Sequence, residues 1–299
     1  MNTPLKLAAF GLGLIAAFGA AAGAGAAVGP IGTDVAAATG HDGMAAGAAG
    51  GNDEEGHAAA ALPAGLSVSE QGYTLELADR SLPAGAATPV AFRIVGPDGS
   101  AVREYDVDHE VDLHLIAVRR DLSSFQHVHP DLDAEGVWHV PLALGPGTWR
   151  LFADFVPTAL GEKVTLGADL AVAGDYEPAP LLAESRTAEV DGYTVELAGS
   201  LTAGTESELT LSVSRDGRPV TDLQPYLGAF GHLVVLRDGD LAYLHAHPTQ
   251  AADGDVAGGP DIRFATTAPS AGTYGLFLDF RHGSVVRTAA FIVTVQEHR

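Results

Sequence analysis

The stretch AFGHLVVLRDGDLAYLHAHP at residues 229–248 decides the fold of this chain, and LHLIAVRRDLSSFQHVHP at residues 113–130 is its counterpart. In each stretch a His is followed thirteen residues later by the motif His-x-His-Pro. The recurring His are His114, His127 and His129 in the earlier copy and His232, His245 and His247 in the later copy. A motif repeated at the same spacing indicates an internal duplication.

The later copy is predicted to form a tight β-hairpin. Two apolar runs flank an Asp-Gly pair at residues 238–239, and Asp-Gly between runs of β-forming residues is a strong hairpin signal. A two-residue type I′ turn would place Arg237 opposite Asp240 and, further along the strands, His232 opposite His245. Residues that pair directly share a face of the sheet, as do residues two apart on one strand. We therefore expect the His of this copy on one side of the hairpin.

The earlier copy lacks the turn Gly, and a four-residue loop at 119–122 would keep the same register, with His114 opposite His127. Cβ atoms of cross-strand pairs lie only about 4.5–5.5 Å apart. Three imidazoles on one hairpin are thus close enough to converge on a metal ion. The sequence predicts one three-His metal site in each domain.

An alternative interpretation makes these His structural. A buried His-x-His-Pro segment can hydrogen-bond to the backbone and stabilise a corner of the fold. The faces of the later strand do not decide between the two, because both faces are apolar. One face carries Phe230, His232, Val234 and Leu236, and the other carries Gly231, Leu233 and Val235. The sequence leaves open whether the His point into a core or outward.

Composition restricts the chemistry of any site. The chain has 299 residues, no Cys and two Met, which excludes disulfides, thiolate ligands and a blue-copper centre. A ligand set of imidazole and carboxylate suits a divalent transition metal, Cu or Zn. The formal net charge of −22 argues against nucleic acid as a partner, because phosphate binding requires a basic surface.

Short alternating runs predict an all-β fold with two tandem β-sandwich domains. GYTLELA at 72–78 matches GYTVELA at 192–198, and GTWRLFADF at 147–155 matches GTYGLFLDF at 272–280. The predicted boundaries are a first domain at 66–173, a Pro-rich linker at 174–186 and a second domain at 187–299. Asp154 and Asp279 occupy equivalent positions in the repeats. Each is a candidate metal ligand or a partner that orients an imidazole.

The N-terminal region is typical of an export signal. Residues 1–29 carry one basic residue, Lys6, before an uncharged run at 7–29 with an apolar centre and small residues near its end. This pattern predicts a cleaved signal peptide or a retained membrane anchor. Residues 30–65 are rich in Ala, Gly and acidic residues and are predicted to be a disordered tether. In either case the domains are expected outside the cytoplasm, with membrane contact only through the N-terminal segment.

The motif HL-x-V at the start of a hairpin, HxHP at its end and a following GTY-x-L-x-x-x-F strand resemble a group of uncharacterised bacterial secreted proteins. The resemblance covers residues 66–296 and is carried by His114, His127, His129, His232, His245 and His247. It implies immunoglobulin-like domains and a loose association with heavy-metal resistance. It implies no established activity.

No catalytic motif is present: the sequence has no nucleophile elbow, phosphate-binding Gly loop or HExxH. We therefore predict an exported, non-enzymatic protein that binds a divalent transition metal. The alternative is an extracytoplasmic interaction or adhesion module, with structural His and another extracytoplasmic protein as its partner.

Overall fold

The computed structural model describes residues 63–252 and 256–297, which fall within one compact unit. This part of the chain folds as two tandem immunoglobulin-like β-sandwiches, which confirms the predicted all-β fold. Within it, no helix is long and apolar enough to cross a membrane. The predicted export segment at 1–29 lies outside the described residues.

The first domain contains two sheets that enclose a core. Its strands are β1 (Ser69–Glu70), β2 (Tyr73–Leu77), β3 (Ser81–Pro83), β4 (Gly85–Val95), β5 (Tyr105–Asp106), β6 (Leu113–Arg119), β7 (Phe125–Val128), β8 (Asp131–Leu132), β9 (Trp138–Leu144), β10 (Gly147–Pro157) and β11 (Val164–Ala173). One sheet has the order β1-β2-β4-β9-β8, and the other has the order β3-β11-β10-β6-β7, with β5 paired to β10. The buried aromatic side chains between them are Tyr73, Phe92, Trp138, Trp149 and Phe155.

In the second domain the strands are hydrogen-bonded into one continuous sheet, which also encloses a core. Its strands are β12 (Thr187–Val190), β13 (Tyr193–Ala198), β14 (Glu206–Arg215), β15 (Arg218–Pro219), β16 (Gly231–Arg237), β17 (Tyr243–Pro248), β18 (Asp261–Thr267), β19 (Gly272–His282) and β20 (Val285–Val295). The order is β12-β13-β14-β18-β17-β16-β19-β20, with β15 paired to β14. Tyr193, Phe264, Tyr274, Phe280 and Phe291 fill its core.

The hairpin connections are longer than the sequence predicts. Each has five residues, 120–124 in the first domain and 238–242 in the second. In the second domain the Arg237 N–H donates to the Ala242 carbonyl oxygen over 3.1 Å. The Asp240 carboxylate accepts a hydrogen bond from the Ala242 N–H over 3.1 Å and also pairs with the Arg237 guanidinium. These contacts stabilise a longer loop in place of a two-residue turn.

The longer loops shift both hairpin registers by two residues. His245 lies opposite Val234 rather than His232. In the first hairpin the pairing moves by the same amount, so that His127 lies opposite Ile116. The predicted register was therefore wrong. Because the shift is even, each strand still presents the predicted residues on each face.

A third apolar cluster joins the two domains. The outer faces of β6 and β10 pack against those of β16, β19 and β20, so that these strands are covered on both sides. The cluster consists of Ile116, Val118, Leu122 and Phe152 from the first domain and Val234, Leu236, Leu241, Tyr243, Phe277 and Ile292 from the second, with Phe125 packed against it. Both faces of the His-bearing strands are apolar because one face lines its own core and the other lines this interface.

Two equivalent aromatic pairs lie in the interface. The rings of Phe125 and Phe277 stack with centroids 4.2 Å apart and planes 3° apart. The rings of Phe152 and Tyr243 lie 5.5 Å apart. Phe125 and Tyr243 occupy the same position in the two repeats, as do Phe152 and Phe277. The domains therefore meet through equivalent surfaces, as the subunits of a two-fold symmetric dimer do.

Residues 63–65, the last three of the predicted tether at 30–65, lie against this interface, and the rest of the tether lies outside the described residues. The Gly65 N–H donates to the Thr165 carbonyl oxygen in the first domain over 3.0 Å, and the Tyr243 N–H of the second domain donates to the Ala64 carbonyl oxygen over 3.0 Å. These last tether residues thus bridge the two domains through backbone hydrogen bonds.

Candidate metal centre

In each domain a His, an Asp and a Thr lie opposite one another in a row across three neighbouring strands. The two rows occupy equivalent positions in the repeats. His114 lies opposite Asp154, and Asp154 lies opposite Thr165. In the second domain His232 lies opposite Asp279, and Asp279 lies opposite Thr288. Because these rows lie on the outer faces of the strands, docking of the domains places them against each other.

The result is a His cluster at the domain boundary. The first domain supplies His114, His127 and His129, whose ligand nitrogens all lie within 4.8 Å of one another. The second domain supplies His232, whose ring centroid lies 5.3 Å from that of His114 and 4.9 Å from that of His127. Among the described residues this is the triad whose nitrogens are close enough to hold a metal ion, and the second domain places His232 beside it. The site predicted in the second domain stays a prediction, because the side chain of His245 is not described.

Three polar contacts form a chain, and the first of them crosses the boundary between the domains. Asp279 Oδ2 lies 2.8 Å from His127 Nδ1, and His127 Nε2 lies 3.0 Å from His114 Nδ1. His114 Nε2 lies 3.2 Å from the backbone carbonyl oxygen of Asp108. Carboxylate and carbonyl oxygens accept hydrogen bonds and do not donate them. The outer nitrogen of each ring therefore carries a hydrogen, Nδ1 in His127 and Nε2 in His114.

The inner nitrogens of these two rings face each other. A neutral imidazole has one N–H, and in both rings it is at the outer nitrogen. His114 Nδ1 and His127 Nε2 then present lone pairs to each other across 3.0 Å. A proton or a metal ion between the two nitrogens would satisfy both lone pairs. Metal-bound imidazoles have the same outer contacts, with the distal N–H donated to a carboxylate or a backbone carbonyl.

Burial opposes protonation of the cluster. Burial, with charge repulsion from His127 and His129, lowers the pKa of His114 to about 3. Burial and His127 lower the pKa of His129 to about 4, against the opposing effect of Asp279. Burial, followed by repulsion from His127 and His114, lowers the pKa of His232 well below its usual value. His114, His129 and His232 are therefore neutral at pH 7, which is the form of imidazole that binds metals.

Two further nitrogens in the cluster are buried and lack hydrogen-bond partners within the described part of the chain. They are His129 Nε2 and His232 Nδ1. A buried polar atom without a partner costs about 1–3 kcal/mol. Each is an additional donor atom available to a cation.

The two candidate carboxylates have different surroundings. Asp279 accepts hydrogen bonds from Thr288 Oγ1 and His127 Nδ1. Asp154 accepts a hydrogen bond from Thr165 Oγ1 over 2.8 Å and lies 3.6 Å from Lys163 Nζ. In the second domain Val286 occupies the position equivalent to Lys163. Lys163 lies two residues before Thr165, and Val286 lies two residues before Thr288. An ammonium group therefore offsets the charge of Asp154, whereas Asp279 orients an imidazole.

Two predicted ligands remain, His245 and His247. His247 is exposed and lies opposite Ala265, beside a cavity that Glu206 and Pro269 also line. The backbone of His245 pairs with Val234, and its side chain lies outside the described part of the structure.

Sequence reasoning missed three residues beside the cluster. The His109 ring lies 5.5 Å from that of His232, Asp108 supplies the carbonyl acceptor, and Lys163 Nζ lies 2.5 Å from Asp108 Oδ2. A comparison of the two repeats excludes His109 as a candidate ligand, because the second repeat has no His at the equivalent position. No sequence signal identifies a backbone carbonyl as a partner.

One known family matches both domains. The family described as "Domain of unknown function (DUF8832)" matches residues 67–174 and again residues 188–297. No curated protein matches the chain.

Solved structures resemble the chain at low identity. The Escherichia coli adhesin FdeC is 15% identical, with a TM-score of 0.24, over 80% of this chain and 66% of that chain. The Yersinia pseudotuberculosis adhesin InvE is 11% identical, with a TM-score of 0.23, over 77% and 60%. A Parabacteroides merdae β-glucuronidase is 9% identical, with a TM-score of 0.24, over 76% and 25%. The chain thus spans about two thirds or less of the length of these proteins, and TM-scores this low select no function among them.

Proposed function

The chain belongs to the family described as "Domain of unknown function (DUF8832)", and we propose that it binds one divalent transition metal ion between its two domains. The ligands are His114 through Nδ1, His127 through Nε2, and His129. Asp279 and the Asp108 carbonyl hold the first two rings in orientation. This proposal replaces one site per domain with a single site shared by both.

The observation that carries the proposal is the pair of facing nitrogens in His114 and His127, 3.0 Å apart. Zn–N bonds of about 2.0–2.1 Å on a tetrahedral ion separate two ligand nitrogens by roughly 3.4 Å. A small opening of the pair therefore admits an ion. The outer hydrogen bonds already hold both rings in the tautomers that ligation requires.

The donor set supports Zn(II) or Cu(II) as the ion. All of the proposed ligand atoms are imidazole nitrogens, and the chain has no Cys. Imidazole suits Zn and Cu, whereas Mg and Ca prefer oxygen ligands. We further propose that the protein acts outside the cytoplasm and binds the ion without catalysing a reaction. The uncharged run at 7–29 supports export, and the absence of catalytic motifs in the sequence supports a binding role.

One observation favours a second candidate function. A proton shared between His114 and His127 would complete the same line of hydrogen bonds from Asp279 to Asp108. The His would then be structural and would help to hold the domains together in an extracytoplasmic interaction or adhesion module. This alternative requires charge in a buried cluster where the pKa of His114 is about 3.

The test is metal content. Tag-free full-length protein is incubated with Zn(II) or Cu(II), dialysed and analysed by elemental mass spectrometry, with affinity measured by competition against a chelator. We expect one ion per chain, with loss of binding in His114→Ala. His139→Ala is the matched control, because His139 is an exposed His that bonds Asp133 outside the cluster. Zero ions in the wild type would favour the structural alternative, and two would favour a site in each domain.

A further inference from the structure

We infer that His232 of the second domain is the fourth ligand, so that four imidazoles hold the ion and it links the two domains. This inference rests on the proposed function and adds the donor that completes the coordination. Three ligands come from the first domain and one from the second.

The spacing of the rings supports four-imidazole coordination. With Zn–N bonds of about 2.0–2.1 Å, the centroid of a bound imidazole stands roughly 3.2 Å from the ion, and two such centroids on a tetrahedral ion lie roughly 5 Å apart. Within the first domain, centroids lie 5.2 Å apart for His114 and His127, 5.2 Å for His114 and His129, and 5.1 Å for His127 and His129. The His232 ring lies 5.3 Å from that of His114 and 4.9 Å from that of His127. His232 thus has this spacing to two of the other three rings, those of His114 and His127.

The partnerless nitrogens support the same assignment. His232 is only 8% exposed, and its Nδ1 is buried without a hydrogen-bond partner among the described residues, as is His129 Nε2. Together with His114 Nδ1 and His127 Nε2, these atoms give four nitrogens that are free to coordinate, one from each ring.

The other polar groups around the cluster fit the fourth position less well. Both oxygens of Asp279 already accept hydrogen bonds, from His127 and Thr288. The side chain of His109 is 27% exposed, and its ring lies 6.2 Å from that of His114. Burial and the nearby Asp279 raise the pKa of Tyr226 to about 12, which keeps the phenol protonated and disfavours it as a ligand.

Four protein ligands have a chemical consequence. Structural zinc sites are closed by four protein ligands, whereas catalytic sites keep a position open for water. A site closed by His232 leaves no position for water, so the ion would join the domains and would not activate a nucleophile. The two domains, which already share the apolar cluster, would then also be joined by metal–ligand bonds.

The experiment measures coordination in full-length protein loaded with Zn(II), using X-ray absorption at the zinc edge and chelator competition. We expect four imidazole nitrogens in the wild type. His232→Gln should retain three imidazoles, gain one oxygen and bind Zn(II) about 10-fold or more weakly. His109→Gln is the matched control from the same cluster and should keep four imidazoles at unchanged affinity.

The outcomes separate the two proposals. A wild type that binds no ion overturns the proposed function and this inference with it. A wild type that binds one ion through three imidazoles, or a His232→Gln variant with unchanged coordination, overturns the inference alone. Circular dichroism of the metal-free variants verifies folding. If His232→Gln does not fold, the imidazole count of the wild type still decides between three and four ligands.

Discussion

Asp279 of the second domain accepts a hydrogen bond from His127 Nδ1 of the first domain over 2.8 Å, and the two side chains are 4% and 0% exposed. The other oxygen of Asp279 accepts from Thr288 over 2.5 Å. A buried carboxylate bonded at both oxygens fixes the ring that it faces. The second domain therefore determines which nitrogen of His127 is available to an ion.

Replacing Asp279 by Asn should weaken metal binding. The amide keeps the size of the carboxylate but removes the charge that supports the ligand nitrogen of His127, and loss of such an orienting partner typically costs 10–100-fold in affinity. Chelator competition measures the change. Asp133→Asn is the matched control, since Asp133 bonds His139 over 2.8 Å at an exposed site. Equal losses in both variants would contradict an orienting role for Asp279.

The metal-free protein should lose stability as pH falls below about 6.5. The pKa of His114 is about 3 in the folded protein, and burial also lowers the pKa of His232, whereas an unfolded His titrates near 6.5. Because the unfolded state binds more protons in this range, the free energy of unfolding decreases by up to about 1.4 kcal/mol per pH unit for each of these His. Urea unfolding with a chelator at pH 7.5, 6 and 5 measures the slope, and a flat profile would contradict neutral buried His.

The Phe277→Ala change should loosen the docking of the two domains. It removes a ring that stacks on Phe125 with centroids 4.2 Å apart, in an apolar cluster separate from either domain core. We expect a loss of about 3–5 kcal/mol in the free energy of unfolding and two resolved transitions in place of one. Calorimetry tests this, with Val285→Ala at an exposed position as the control. One transition shifted no more than in the control would contradict a stabilising interface.

Each domain expressed alone should fold but associate with itself. Separation exposes one half of the interface cluster, and contiguous apolar patches of this kind lead to association. The two halves are equivalent surfaces, so each half can pair with a second copy of itself, as in a two-fold dimer. Sedimentation of residues 63–173 and of residues 187–297 should show dimers, whereas the full chain should be monomeric. Stable monomers of both halves would show that the interface is weak.

Local periodicity was sufficient for much of the fold. Alternating apolar residues predict strands, and the repeated segments at 147–155 and 272–280 predict two similar domains. The spacing of His127 and His129 correctly places both on one face, because the side-chain period of a strand is two. The turn was predicted wrongly because Asp240 closes a longer loop through its side chain, a contact that the Asp-Gly pair does not reveal.

By itself the sequence determined that there are two β-sandwiches and that His114, His127 and His129 share one face of a hairpin. Only the tertiary structure decided that this face lies between the domains and that Asp279, 152 residues from His127, is the partner of that ring. The physical reason is the distinction between local and long-range interactions. Strand periodicity is set by neighbouring residues, whereas the meeting of the two outer faces depends on packing of the whole apolar cluster. That packing leaves Asp279 as the carboxylate that orients His127.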